Sequence, residues 1–296
     1  MTSQLAVWRR SIGLALVAWL AIGLYAAFLI YPVIQGFLTS FTDRNPLRRD
    51  SSFVGLENYV ELARDQRLLR SLVFTLIVTL FVAIVSNVLG LLLAMLLNRP
   101  KANYRMMRTL IFVPQVLSGV IVAFIWRSIL TQQGLLNLTL QNLGVTDTAV
   151  SWIGTPELAT LSICVVVSWA TIAFATVIYT ASLQSVPVDL YEAARIDGAG
   201  PVARFWHVTL PMIAPGVTIS VTLSLITTLK LFDIIAVLTG GGPANSTKSV
   251  AYYLIDVAFT GNRFGYASAV AMLLLALTAL ISYGTSGVLR RREAQL

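Results

Sequence analysis

The stretch LATLSICVVVSWATIAFATVIYTASLQSVPV, residues Leu158 to Val188, contains no Asp, Glu, Lys or Arg. A helix crossing a bilayer needs about 20 apolar residues at 1.5 Å each to cover roughly 30 Å of hydrocarbon, and this run is long enough. Its apolar residues are nearly continuous, with none of the alternation of a membrane β-strand, so the element is a helix. Working outward from it, comparable uncharged runs recur along the chain. They predict spans at about 11–42, 71–98, 109–130, 158–186, 206–233 and 264–289. The expected fold is an all-α integral membrane protein of six transmembrane helices. Two other uncharged segments, 128–146 and 234–247, carry Gln, Asn, Thr and Gly-Gly-Gly-Pro and read as connecting loop and helix end.

Composition agrees with this reading. Of 296 residues, 57% are hydrophobic and 11% charged, and mean hydropathy is +0.79. A soluble domain carries about 25% charged residues, so too few charges exist here to wet a globular surface. Abundant aliphatics exclude a disordered chain. The net charge of +8 does not signal nucleic acid, because Lys and Arg fall between the apolar runs, where they orient helices and meet anionic lipid. Cys164 is the only cysteine and lies within an apolar run, so its expected role is packing. Arg9-Arg10 ahead of the first run imitates a leader, but the run is about twice as long as a signal core and is read as an uncleaved anchor. Arg9-Arg10, then Arg99, Lys101, Arg105 and Arg108, then Arg290-Arg291-Arg292 fall on one side when six spans are threaded, which places both termini in the cytoplasm. Arg44, Arg48, Arg49, Arg64, Arg67 and Arg70 oppose this rule. Between spans one and two, 53–69 reads as an amphipathic outer helix with Leu56, Tyr59, Val60 and Ala63 on one face. No internal repeat divides the chain, so residues 1–296 are read as a single transmembrane domain.

The connection after span four, residues 187–211, is the most informative loop. Pro187 suits a first helical turn, Asp189 its positive end, and Gly198 the left-handed position that closes a helix; Pro201 then opens another. A helix of about ten residues is marginal alone and needs something to dock on. This one offers small Ala193 and Ala194 for close approach, with Glu192, Arg195 and Asp197 for orientation.

The spacing Glu192-Ala193-Ala194, Gly198, Val208, Leu210-Pro211 resembles the EAA loop of binding-protein-dependent ABC importer permeases, with valine where isoleucine is commoner. The longer form, Tyr191 to Ala199 followed by Phe205 and Leu210-Pro211, is similar to the carbohydrate-uptake branch. So are Phe53-Val-Gly-Leu-Glu-Asn-Tyr59, Phe232-Asp233 through Leu238-Thr-Gly-Gly-Gly-Pro243, and Phe264-Gly-Tyr-Ala-Ser-Ala269. The resemblance implies a cytoplasmic coupling helix seated in a groove of an ATPase subunit, with Tyr191, Glu192, Ala193, Ala194, Asp197, Gly198, Ala199, Phe205, Leu210 and Pro211 as coupling residues. Glu192 would pair with a basic residue of the ATPase. The alternative is a solvated loop whose Ala and Gly merely favour helix and turn.

Nucleotide motifs fail on context. Gly198-Ala-Gly-Pro-Val-Ala203 fits a dinucleotide fingerprint on paper, but no strand precedes it, and Gly240-Gly-Gly-Pro243 lacks the Lys-Ser/Thr of a P-loop. ATP and Mg are therefore expected on a partner ATPase, with no cofactor or metal bound by this chain. One histidine, His207, and no G-x-S-x-G argue against an enzyme. Ion-coupled carriers bury ionisable groups at the midplane. Only Lys230 and Asp233 come near a span here, and helical counting puts them at the outer interface, read as an i, i+3 ion pair in preference to a role in substrate entry.

A pathway without buried charge must use neutral polar and aromatic groups, which suits a sugar. The candidates are Asn87, Gln115, Ser118, Trp169, Thr176, Tyr179, Ser220, Ser224, Thr227 and Thr228, each of which could instead be interhelical glue. The expected assembly holds a second homologous permease subunit, two ATPase subunits and an extracytoplasmic sugar-binding protein, in contact with membrane lipid and no nucleic acid. The rival is a self-sufficient secondary carrier or channel for a neutral polar solute, and after it an intramembrane enzyme.

Overall fold

The computed structural model describes residues 17–98 and 102–293. The basic positions Arg9, Arg10, Arg99 and Lys101, and the start of the first expected span, lie outside them. Apart from one bridge between Thr42 and Phe53, the described residues form helices, turns and loops. Contacts divide the chain into two compact units: residues up to Arg64 with Leu254–Leu273, and Asp65–Tyr253 with the chain from Leu274 onward.

In the first unit, α1 (Val17–Thr39) is apolar throughout and buries nothing within the chain. Its turn at Ala26–Ile30 widens to a π-helix just before Pro32, whose missing N–H cannot complete a regular turn. The chain after α1 is held by Asn58, whose Nδ2 donates to the carbonyls of Ser40 at 2.8 Å and Thr42 at 2.9 Å. Tyr59 adds a hydroxyl contact to Ser40 at 2.7 Å. The expected 53–69 helix is confined to α2 (Glu57–Arg64), because Asp65 adopts an extended backbone and caps the next helix. The inward face of α2 also differs from the expected one. It carries Asn58 and Leu62, whereas Leu56, Val60 and Ala63 are exposed. The loss of one helical turn on each side, and the pull of Asn58 on two carbonyls, set that rotation.

In the second unit, α3 (Gln66–Leu97) and α7 (Pro156–Gln184) pack along their lengths. They come close at Gly90, where a Cβ would stand 2.6 Å from the Cβ of Ala175. Small residues at such a crossing let membrane helices approach closely. The helix α10 (Ala214–Leu229) rests on both.

Three segments differ from expectation. The 109–130 span is two helices, α4 (Ala102–Val116) and α5 (Gly119–Leu130), because Ser118 takes an extended conformation and caps α5 through Ile121 N–H. The apolar helix long enough to cross a membrane is instead Gly119–Asn142, which continues through α6 (Leu135–Asn142) into the segment read as a loop. The buried Asn137 organises that region, donating to the carbonyls of Thr131, Gln132 and Val150 and accepting from Val150 N and Trp152 Nε1.

Span five, expected over 206–233, is α9 (Pro201–Met212) followed by α10, bent by 69° at Ile213. Pro215 supplies the cause, since it cannot donate back across the joint. Beyond Leu229 the chain breaks and restarts as α11 (Asp233–Leu238). A helix, α12 (Val250–Thr260), occupies a stretch with no predicted element, and α13 (Phe264–Glu293) closes the described chain. Among the described residues five helices are long and apolar enough to cross a membrane, or six if the bent pair is one span.

Candidate functional site

The loop after α7 folds as the local sequence dictates. Helix α8 (Val188–Ile196) follows Pro187, which takes the capping position just before the first turn. Asp189 lies in that turn and Arg195 in the last, each opposing the helix dipole. Gly198 has φ +78°, and the Gly198 and Ala199 amides donate to Arg195 and Ala194, closing the helix. No residue of α8 is buried. Glu192, Ala193, Asp197 and Gly198 are exposed, and Ile196 and Val202 leave 87% and 71% of their surface open. Apolar side chains so uncovered on a polar loop mark a surface awaiting a partner.

The loop is nonetheless anchored. The Tyr191 hydroxyl meets Thr209 Oγ1 at 3.0 Å, and the Tyr191 ring packs on the buried cluster of Ala94, Ala175, Tyr179, Leu183, Val186 and Ile213. Phe205 starts a π-turn that ends at Thr209, and Leu210 and Pro211 follow, half-buried, ahead of the bend. His207 is exposed, with Nδ1 2.9 Å from the Ala203 carbonyl, and serves the local turn.

A cavity of about 360 Å³ opens between α4, α5, α7 and α10. Its polar lining is Gln115, Thr171, Thr227, Thr228 and Asp233, and its apolar lining includes Leu117, Gly119, Phe174 and Leu231. Both chain breaks, at Leu117–Ser118 and Lys230–Phe232, therefore meet at this space. Gln115, Thr227 and Thr228 were predicted; Thr171 and Asp233 were not. Asp233 does not pair with Lys230. The helix ends between them, so they share no i, i+3 geometry, and Asp233 Oδ1 instead accepts from Ile234 N at 2.9 Å.

The remaining pathway candidates do not line this cavity. Asn87 donates to Ser224 Oγ at 3.0 Å and accepts from the Tyr179 hydroxyl at 2.8 Å, which ties α3, α7 and α10 together inside the unit. Ser220 is fully buried near them. Thr176 bonds back to Ile172 and borders a second cavity of about 280 Å³ with Arg108 and Gln184. Trp169 stands edge-on to Trp126 at 5.7 Å, and Ser118 is the cap of α5. Cys164 is buried in the core cluster of Phe74, Val78, Ile163 and Ile235. Among the described residues no group of three or more His, Cys, Asp or Glu could hold a metal ion.

An all-helical, multi-pass chain with an exposed Glu-Ala-Ala loop and, between its spans, a mainly apolar cavity dotted with polar groups has the build of a membrane translocation component. The chain belongs to the family described as the binding-protein-dependent transport system inner membrane component, which matches residues 86–294. It is 34% identical over 259 residues to the multiple sugar-binding transport system permease protein MsmF of Streptococcus mutans, covering 88% of this chain and 89% of that one. Over 267 residues it is also 34% identical to the trehalose/maltose transport system permease protein MalF of Thermococcus litoralis, covering 89% and 90%. The fold is similar to a chain of a bacterial ABC transporter that imports the acidic polysaccharide alginate, with TM-score 0.84, 23% identity and coverage of 97% and 99%.

Proposed function

We propose that this chain is the permease subunit of an ATP-driven sugar importer and forms half of the translocation pathway by alternating access. Two relatives that match over nearly their whole length are named as sugar transport permeases, and the cavity between α4, α5, α7 and α10 carries, beside the Asp233 carboxylate, neutral amide and hydroxyl groups that can exchange hydrogen bonds with a sugar. In this reading both termini are cytoplasmic. A second, similar permease completes the pathway, two ATPase subunits bind ATP and Mg below, and a sugar-binding protein delivers substrate from outside.

The observation that carries coupling is α8: a helix with no buried residue, held to the membrane bundle through Tyr191 and closed by Gly198 in a left-handed turn. Glu192, Ala193, Ala194, Asp197, Gly198 and Ala199 present the docking surface to the ATPase, and Phe205, Leu210 and Pro211 pass its movement to the bent pair α9–α10. The test is co-purification from native membranes. The wild-type chain brings down an ATPase subunit, and Glu192→Ala or Gly198→Val releases it while membrane insertion is unchanged. Retention of the ATPase by both variants, or transport by the purified chain alone under an ion gradient, overturns the proposal.

A further inference from the structure

The short helices α5 and α11 lie side by side in parallel. Their N-terminal residues meet, since a Cβ on Gly119 would stand 1.8 Å from Asp233 Oδ2 and 2.6 Å from its Cγ. Their C-terminal turns meet too, where Arg127 Nη1 donates to the Val237 carbonyl at 2.9 Å. Between these ends Val122, Ala123 and Leu130 share one buried cluster with Ile234, Ile235 and Leu238. Parallel neighbouring helices bring like ends of their dipoles together, which is unfavourable unless each pair of ends receives an opposing charge. Here the Asp233 carboxylate sits at the paired positive ends and the Arg127 guanidinium at the paired negative ends. Glycine at 119 leaves the carboxylate its space.

From this we infer that Asp233 is a positioning residue: with Arg127 it pins α5 to α11, so the two move through the transport cycle as one lever, pivoting at the breaks Leu117–Ser118 and Lys230–Phe232. Both pivots border the 360 Å³ cavity, so rotation of the lever changes the mouth of that cavity without repacking the helices that form it. The inference rests on the importer reading above.

The experiment uses the whole importer, assembled in nanodiscs with its ATPase and binding protein, in a Cys164→Ala background. Gly119→Cys with Asp233→Cys is oxidised to a disulfide, and ATP hydrolysis is measured with and without the binding protein. The lever predicts that oxidation changes the stimulated rate of this double variant by no more than about twofold from its own rate after reduction. A loss of tenfold or more that a reductant reverses shows that the helices separate and overturns it, as does failure of the pair to cross-link. Separately, Gly119→Ala lowers stimulation at least tenfold, and adding Asp233→Ala vacates the space and restores part of it; a double variant no better than Gly119→Ala overturns the pin. A wild-type assembly whose hydrolysis ignores the binding protein refutes the importer reading itself, and the lever with it.

Discussion

Asn87→Ala removes the side chain that joins three helices. In the structure it loses an acceptor for the buried Tyr179 hydroxyl at 2.8 Å and a donor to Ser224 at 3.0 Å. Interhelical hydrogen bonds in membranes average about 0.6 kcal/mol each with a maximum near 1.7, so the expected destabilisation is about 1–3 kcal/mol. Combining Asn87→Ala with Tyr179→Phe isolates one bond, because phenylalanine needs no acceptor. The cycle predicts a coupling energy of about 0.6 kcal/mol or more, read from unfolding in mixed micelles of dodecyl maltoside and sodium dodecyl sulfate. The same variants leave the KM for sugar uptake unchanged, since the network does not line the cavity. Coupling indistinguishable from zero, or a KM that rises tenfold, refutes the assignment of these residues to packing.

Gly90→Leu drives a side chain into Ala175, against which even a Cβ sits at 2.6 Å, and is expected to cost about 1–3 kcal/mol in the same unfolding assay. Gly198→Val forces a β-branched residue to φ +78°, costing about 1–2 kcal/mol locally, seen as faster proteolysis of the 187–211 loop. Glu192→Ala, on an exposed helix, leaves stability within about 0.5 kcal/mol while abolishing ATPase association in pull-down. Arg263→Ala removes the paired bonds to Glu61 at 2.7 and 2.5 Å; both side chains are half-exposed, so the loss is about 0.2–1 kcal/mol and shrinks when unfolding is repeated in high salt.

The membrane helices were legible because hydrocarbon leaves little choice: a run such as Leu158–Val188 without charge has one stable form. The turn at Gly198 was legible because its chemistry is local, a small residue at a left-handed φ after a capped helix. The breaks were not. Pro114 is tolerated inside α4, while the interruption falls two residues later at Leu117–Ser118, where nothing in the local sequence forbids a continuous helix. The polar residues of the spans divided for the same reason. Thr227 and Thr228 face the cavity, while Ser224 lies one turn before Thr228 yet faces Asn87, and residue type alone cannot separate a lining hydroxyl from a bridging one. Asn137 was passed over because a polar amide in a Gln- and Asn-rich stretch looks like solvent-facing loop until its five bonds are seen.

The 69° elbow at Ile213 governs the direction in which any thrust can travel. A displacement along Pro201–Met212 projects onto the axis of Ala214–Leu229 by the cosine of that angle, about 0.36, and the larger component runs crosswise. Under the proposed coupling such a joint would work as a crank: a push on the Pro201–Met212 arm would become mainly a sideways swing of the other arm, and straightening the joint by replacing Pro215 would turn that swing into a piston stroke.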